Sequence, residues 1–374
     1  MYVATLEFEN FRTYEKLKLK LNPRVNLFLG KNGTGKTNLL EGIYFGLSGE
    51  PLRFASYKDL VRQTAAFSRV RFLAQRNECT HTIDATIADG KHKINLDLKT
   101  ISPRKMNDLF RAIAFTPETL ASIKEGPQER RQLLDELWMT ITPEATNVLS
   151  DYRKCLASRN RVLKDGINGH LNSSELRRLL DSLDATFLPL ATEVSWGRIQ
   201  AVKSSIGTVN DSYLRLLREK NTEIRVEYLI SRHSTIDWSK NQVYDLLASR
   251  LKELQATEFQ AGVTLVGPHK HDVRFLANGY DARVYCSQGQ QRSIALAFKV
   301  AQVELYKQHR EDEPVLLLDD VFSELDSVRR DELLSILRKL RGQIILTAID
   351  DSVPSTQFGS EVAVFHVNKG QVTQ

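Results

Sequence analysis

Residues 30–37 read GKNGTGKT, and no other eight positions restrict the fold so tightly. The pattern is Gly-x-x-x-x-Gly-Lys-Thr. The apolar run VNLFL precedes it, and the helix-like NLLEGIYFGL follows it. Strand, glycine-rich loop and helix in that order form a phosphate-binding loop. A chance glycine-rich turn would lack both flanks. Gly30, Gly33 and Gly35 let backbone amides converge on an anion without a Cβ in the way. The helix N-terminus adds partial positive charge. Lys36 is expected to reach the outer phosphates and the Thr37 hydroxyl to hold Mg²⁺. Lys31, Asn32, Thr34 and Asn38 complete the phosphate-side set.

Such a loop needs a second acid at the end of another buried strand. VLLLDD supplies it. Asp319 is the expected Mg²⁺-side carboxylate, and Asp320 stands where an acid would orient or deprotonate water. Adjacent acids after an apolar strand can also be a plain polar exit. The upstream loop favours the chemical reading.

A third stretch, YCSQGQQRSIALAF from Tyr285, sets a polar cluster ahead of an apolar helical run. Ser287 and Gln290 have capping-box spacing. That accounts for two residues and leaves Gln288, Gly289, Gln291 and Arg292.

The rest of the chain supplies context. Of 374 residues, 41% are apolar and 26% charged, as in ordinary globular proteins. No apolar run approaches the roughly 20 residues of a membrane span. The opening MYVATLEFENFR lacks an export-signal layout. The three cysteines have no metal or disulfide spacing, so a cytoplasmic location is expected. A net charge of +6 is a mild pointer to a polyanionic partner.

Alternating segments in the first third read as strands, among them VATLEF, LKLKLN, RVRFLA, HTIDATIA and RAIAF. From Gly126 the pattern turns helical. Leu176, Leu180, Leu183 and Phe187 form one packing stripe; Ile199, Val202, Ile206, Val209, Tyr213 and Leu216 form another. Pro189 is expected to cut the helical arm short. Arg153, Lys154, Arg159, Arg161, Lys164, Arg177, Arg178, Arg198, Lys203, Arg215, Arg218 and Lys220 are its candidate contacts to a polyanion, each also readable as a solvated face. After Gly262 the chain returns to α/β, with VTLVG and DVRFLA as strands. His269 and His271, in GPHKHD, lack a third metal ligand; a phosphate-sensing or structural role is the expectation.

In chain order, GKNGTGKT, SQGQQR and LLLDDVFSELD resemble the motifs of ATP-binding-cassette-type ATPases. The usual signature is Ser-Gly-Gly-Gln; here Gln288 replaces its first glycine. SELD resembles the loop after the second acid, which brings in Asp326. A switch histidine is usual after the next strand, in ILTAIDD, and Thr347 stands there instead. LEFENFRTYEKLKL, with Phe11-Arg12, adds Arg12 to the nucleotide set. With LRFASYKDL, FTPETLASIKEGPQERRQLLDE, DYRKCLASRNRVLK and TLVGPHKHDV, the likeness covers most of the chain. It is similar to the RecF family of bacterial recombination and gap-repair ATPases, relatives of the SMC chromosome ATPases.

That resemblance implies an α/β ATPase head built from both chain ends, residues 1–125 and 263–374, with a mainly helical arm at 126–262. It implies ATP and Mg²⁺ as ligands and slow, DNA-stimulated hydrolysis. ATP would bridge a head-to-tail homodimer. Ser287, Gln288, Gly289 and Gln290 of one chain would meet the nucleotide held by Lys36 of the other. The closed dimer would clamp duplex or gapped DNA and work with RecO and RecR to load RecA. Two competing readings are a transporter motor, which the helical insert and missing switch histidine oppose, and a non-catalytic ATP-dependent scaffold with Asp320 too short to activate water.

Overall fold

A computed structural model of the chain describes residues 1–53, 56–218, 221–310, 312–349, 358 and 361–374. Phe54 and Ala55 of LRFASYKDL, Lys220, and Asp350 and Asp351 of ILTAIDD lie outside the described residues. The chain divides into two compact units: Met1–Leu120 with Arg215–Arg218 and Tyr306–Gln374, and Ala121–Leu214 with Glu219–Leu305.

The first unit begins with β1 (Tyr2–Phe11), β2 (Tyr14–Lys20), β3 (Val25–Leu29), α1 (Lys36–Ser48) and α2 (Tyr57–Leu60). Strands β4 (Phe67–Arg76), β5 (Cys79–Ala88), β6 (Lys91–Leu96) and β7 (Lys99–Ile101) follow, then α3 (Pro103–Leu109), β8 (Ala112–Phe115) and α4 (Pro117–Ala121). One antiparallel sheet has the order β2-β1-β4-β5-β6-β7. Its strands alternate buried and open positions because one face packs and the other meets water.

The second sheet needs the other end of the chain. In chain order the second unit supplies α5 (Pro127–Ile141), α6 (Ala145–Ile167), α7 (Ser173–Leu217), β9 (Ile224–Ile230), β10 (His233–Ser234), α8 (Lys240–Ala261), β11 (Asp272–Ala277), β12 (Tyr280–Asp281) and α9 (Ala282–Tyr285). Helix α10 (Gln288–His309) leads back to the first unit, with β13 (Val315–Asp319), α11 (Ser327–Lys339), β14 (Ile344–Ala348), β15 (Val362–Asn368) and β16 (Gln371–Thr373). The sheet order is β16-β15-β3-β14-β13-β8, parallel except at β16. Strands β3, β13 and β14 are buried at every position, so they read as unbroken apolar runs. Both ends of the chain therefore build one parallel sheet. Gln343 stitches the two sheets: its amide takes Val3 N–H at 2.8 Å and donates to Val3 O at 2.9 Å and Asn22 O at 2.8 Å.

In the second unit, which begins at Ala121, Gly126 caps α5 and Pro127 opens it. Three expectations need correction. Pro189 does not end a helix: α7 runs 45 residues through it. Buried Phe187, Ala191 and Val194 flank the proline, and their packing offsets the roughly 3 kcal/mol that an interior proline costs. VTLVG is not a strand. Its Thr264 and Leu265 amides donate to the Asn160 and Glu258 side chains at 2.8 and 2.7 Å, which replaces a ladder. Nor does the arm stop at residue 262. Strand β11 pairs with β9 along Asp272–Ala277, so residues 263–305 pack with the helical unit.

Two arginines proposed for polyanion contact are core residues. Arg159 is 1% exposed and pairs with Asp184 and Glu258, each at 2.7 Å. Arg198 is 5% exposed, forks onto Asp135 at 2.7 and 2.9 Å, and also donates to Tyr228 Oη and Pro268 O. Arg153, Lys154, Arg161, Arg177, Arg178 and Lys203 are exposed. Sequence spacing gives no sign of which arginines have carboxylates waiting across the fold.

Candidate nucleotide-binding site

The parallel strands of the first unit end at one edge, where loops of such sheets gather ligands. The glycine-rich loop leaves β3 there, and Gly30 N–H donates to Ala348 O at 3.2 Å. A Cβ on Gly30 would lie 2.4 Å from Val367 O, so the loop can lie against β15 only as glycine. Gly35 precedes α1 with φ of +111°, a left-handed conformation that turns the chain into the helix. Thr34 Oγ1 donates to Lys31 O at 2.8 Å, and Asn38 Nδ2 to Thr13 Oγ1 at 3.2 Å. Tyr14 Oη braces the loop through Gly35 O at 3.0 Å.

Helix α1 has no side-chain cap and no acid in its first turn. Its leading amides and positive dipole end face the loop, and these features fit a phosphate group. Lys36 is 7% exposed; its ammonium donates to Gly30 O and, at 2.9 Å, to Lys31 O. Burial lowers its pKa, and the nearby Asp320 and Asp319 carboxylates act against that shift.

Strands β3, β14 and β13 lie side by side, so the loop and the acid pair are separated by one strand. The Thr37 hydroxyl donates to Asp319 Oδ1 at 3.1 Å. Two residues 282 positions apart in sequence therefore meet, and both are hard oxygen donors of the kind Mg²⁺ takes. Asp319 is 2% exposed. Asp320 follows with φ of +48°. Burial raises the Asp320 pKa, while its hydrogen bond with Ser323 and the charge of Lys36 oppose the shift. A carboxylate so disposed is a better proton acceptor than an ordinary surface aspartate.

Thr347 has a role that spacing did not reveal. The register pairs Asp319 with Thr347 across β13 and β14. Its hydroxyl donates to Asp319 Oδ1 at 2.8 Å and accepts Asp320 N–H at 3.0 Å. Arg53 joins the same acid without any local sequence signal: its Nη2 lies 3.2 Å from Asp319 Oδ2 and 3.3 Å from Glu118 Oε1. Arg12 forks onto the buried Glu41 of α1 at 2.7 and 3.0 Å. It is thereby tied to the helix that carries Lys36 and Thr37.

The signature residues belong to the second unit. Ser287 and Gln290 form the capping box: Ser287 N–H donates to Gln290 Oε1 at 2.9 Å, and Gln290 N–H to Ser287 Oγ at 3.2 Å. Gln291 fastens the helix start to α9 through Ala282 O at 3.0 Å and Cys286 O at 3.1 Å. Ser287, Gln288 and Gly289 are open or half-open to solvent. Asp326 caps α11, accepting Arg329 N–H at 2.9 Å. His269 and His271 are structural. His269 Nε2 donates to Thr264 O at 3.0 Å and its Nδ1 meets Tyr152 Oη at 2.6 Å, while His271 Nδ1 meets Tyr228 Oη at 2.8 Å.

The RecF/RecN/SMC N terminal domain matches residues 2–373. The DNA replication and repair protein RecF of Lysinibacillus sphaericus is 31% identical over 389 aligned residues, covering 100% of this chain and 99% of that one. The chain belongs to the RecF family. RecF of Desulforamulus reducens is 32% identical, again across 100% and 99% of the two chains. The solved structure of the recombination mediator protein RecF-ATP in the RecFOR pathway matches with a TM-score of 0.84 at 29% identity, covering 100% of this chain and 97% of that one. An Smc head bound to the C-winged helix domain of ScpA matches at 0.55 and 14% identity over 100% and 96%, a likeness of fold alone. The RecF assignment agrees with the order of loop, signature and acid pair. Among the described residues, no helix is long and apolar enough to cross a membrane.

Proposed function

We propose that this chain is an ATP-dependent DNA-binding ATPase of recombinational repair. The observation that carries the reading is the 3.1 Å contact between Thr37 and Asp319, which unites the phosphate loop with the acid strand. The RecF relatives, and the solved RecF-ATP of the RecFOR pathway, support the biological setting. Thr37 and Asp319 would hold Mg²⁺, which supplies charge neutralisation for the phosphates when bound. Lys36 and the α1 amides would bind the β- and γ-phosphates, and Asp320 would take the proton of the attacking water.

Ser287, Gln288, Gly289 and Gln290 would dock, as a helix start, against the γ-phosphate held by a second copy. Asp326 and Ser323 would approach that copy's loop. ATP then favours the dimer by binding it better than the monomer, and hydrolysis removes the bridge. The dimer would clamp duplex or gapped DNA through backbone contacts, with RecO and RecR as partners in loading RecA.

The deciding measurement is duplex-DNA binding at low salt with and without ATP, alongside light scattering for the dimer. Wild type should bind and dimerise only with ATP, and Lys36→Ala should do neither. Asp320→Asn should keep ATP-dependent binding but lose about a hundredfold or more in turnover, the lower range for a missing proton acceptor. ATP-independent dimerisation would sink the bridging model, and unchanged turnover in Asp320→Asn would remove the assigned base.

A further inference from the structure

Asp319 is a buried carboxylate with three partners. Thr37 and Thr347 occupy Oδ1 at 3.1 and 2.8 Å, and the guanidinium of Arg53 sits 3.2 Å from Oδ2. The hydroxyls bring no charge, so Arg53 is the cation in direct contact with this acid. It is held differently from the buried arginines of the second unit. Its side chain is 39% exposed, and the same Nη2 lies 3.3 Å from Glu118, which is itself 55% exposed. Arg53 thus bridges one buried and one solvated carboxylate.

That arrangement has a consequence for cation binding. A carboxylate already neutralised by a guanidinium attracts a divalent ion less, because the two cations repel each other at short range. Releasing Arg53 from Asp319 leaves it beside Glu118 instead of unpaired, so the exchange avoids a stranded charge.

We propose that Arg53 is a resident counter-cation of the metal-side acid, exchanged between Asp319 and Glu118. While it rests on Asp319 it holds down the affinity for a divalent ion alone. Nucleotide phosphates, which bring further ligands, then make metal binding conditional on nucleotide. Arg53 is a positioning residue in this scheme, and the inference rests on the assignment of Thr37 and Asp319 to Mg²⁺.

The test uses Mn²⁺ as probe, followed by the paramagnetic signal of the free aqueous ion, on the full chain. Without nucleotide, Arg53→Gln should bind Mn²⁺ about tenfold more tightly than wild type, the scale of one competing charge at a partly exposed site. Glu118→Gln should shift the other way by about twofold, since it removes the alternative partner. A merely structural Arg53 would not move the two variants in opposite directions. Thermal melting followed by circular dichroism confirms that each is folded. With a non-hydrolysable ATP analogue, wild type and Arg53→Gln should converge. Equal Mn²⁺ affinities without nucleotide would overturn the exchange while leaving the metal site intact. Asp319→Asn separates the two failures. If wild type and Asp319→Asn bind Mn²⁺ alike in the presence of the analogue, the metal assignment falls and the exchange falls with it.

Discussion

Thr347 illustrates how one hydroxyl can serve two acids. It donates to the Asp319 carboxylate and accepts the Asp320 amide, so it fixes both the metal-side group and the backbone of the next residue. Replacing it with valine keeps the shape and removes both bonds. A buried polar group left without its partner costs about 1–3 kcal/mol. Thr347→Val is therefore expected to lower turnover about tenfold or more, with ATP affinity changed only a few-fold. Steady-state kinetics beside an equilibrium nucleotide titration would check it, and a loss confined to ATP affinity would contradict it. At this scale the phosphate loop was fully legible, because its chemistry is written in eight consecutive residues. Local sequence marks Thr347 only as the place of an absent histidine and does not mark Arg53 or Glu118 at all. Their meaning depends on partners 266 and 65 positions away in sequence, brought close by strand register and loop placement.

At the scale of the element, the start of α10 has two separable jobs. The capping box is present, and the exposed Ser287 and half-buried Gly289 lie at the same terminus. Aspartate caps helices as well as serine does but carries a negative charge. Ser287→Asp should melt within about 1 kcal/mol of wild type yet fail to dimerise with ATP, whereas Ser287→Ala should lose about 1 kcal/mol from the cap. Chemical denaturation and light scattering on both variants read the two roles apart. A Ser287→Asp protein that still dimerised with ATP would confine Ser287 to capping.

The Gly-Pro-His segment makes a different prediction. Burial holds the His269 pKa down to about 4, and pushes His271 well below its ordinary range. In the unfolded chain an imidazole titrates near pH 6.5, about 6.5 being its unperturbed value. Between those values the unfolded chain binds the proton and the folded chain does not. The stability from the neutral rings is complete above pH 6.5 and drains as pH falls towards 4, by up to about 1.4 kcal/mol per pH unit for one ring. Urea midpoints at pH 7.5 and 5 should therefore differ less in His269→Gln than in wild type. Equal differences would remove His269 as a source of acid sensitivity. The pairing of His269 with Tyr152, and of His271 with Tyr228, joins residues far apart in sequence and is not written in GPHKHD.

For the whole molecule, the arm arginines divide into two groups by burial. Arg159 is locked to Asp184 and Glu258, whereas Arg161, Arg177 and Arg178 are exposed. Breaking a buried pair costs about 3–5 kcal/mol, so Arg159→Ala should unfold at markedly lower denaturant. The triple variant of the exposed arginines to glutamine should stay folded. If it contacts DNA phosphates, its log affinity against log salt should flatten by about one unit per lost contact. A salt slope equal to wild type would place the DNA elsewhere.

The sequence by itself determined the glycine-rich loop between a strand and a helix, the apolar strand that ends in two acids, and the capping box at the start of α10. Each is carried by contiguous residues or by an apolar pattern that only one kind of strand produces. Tertiary structure alone decided which arginines are core, that β9 and β11 join residues 263–305 to the helical unit, that α7 continues through Pro189, and how Thr347 and Arg53 hold Asp319. The physical reason is common to all four. Burial, register and ion pairing are properties of residues distant in sequence, and local pattern carries no information about which of them will meet.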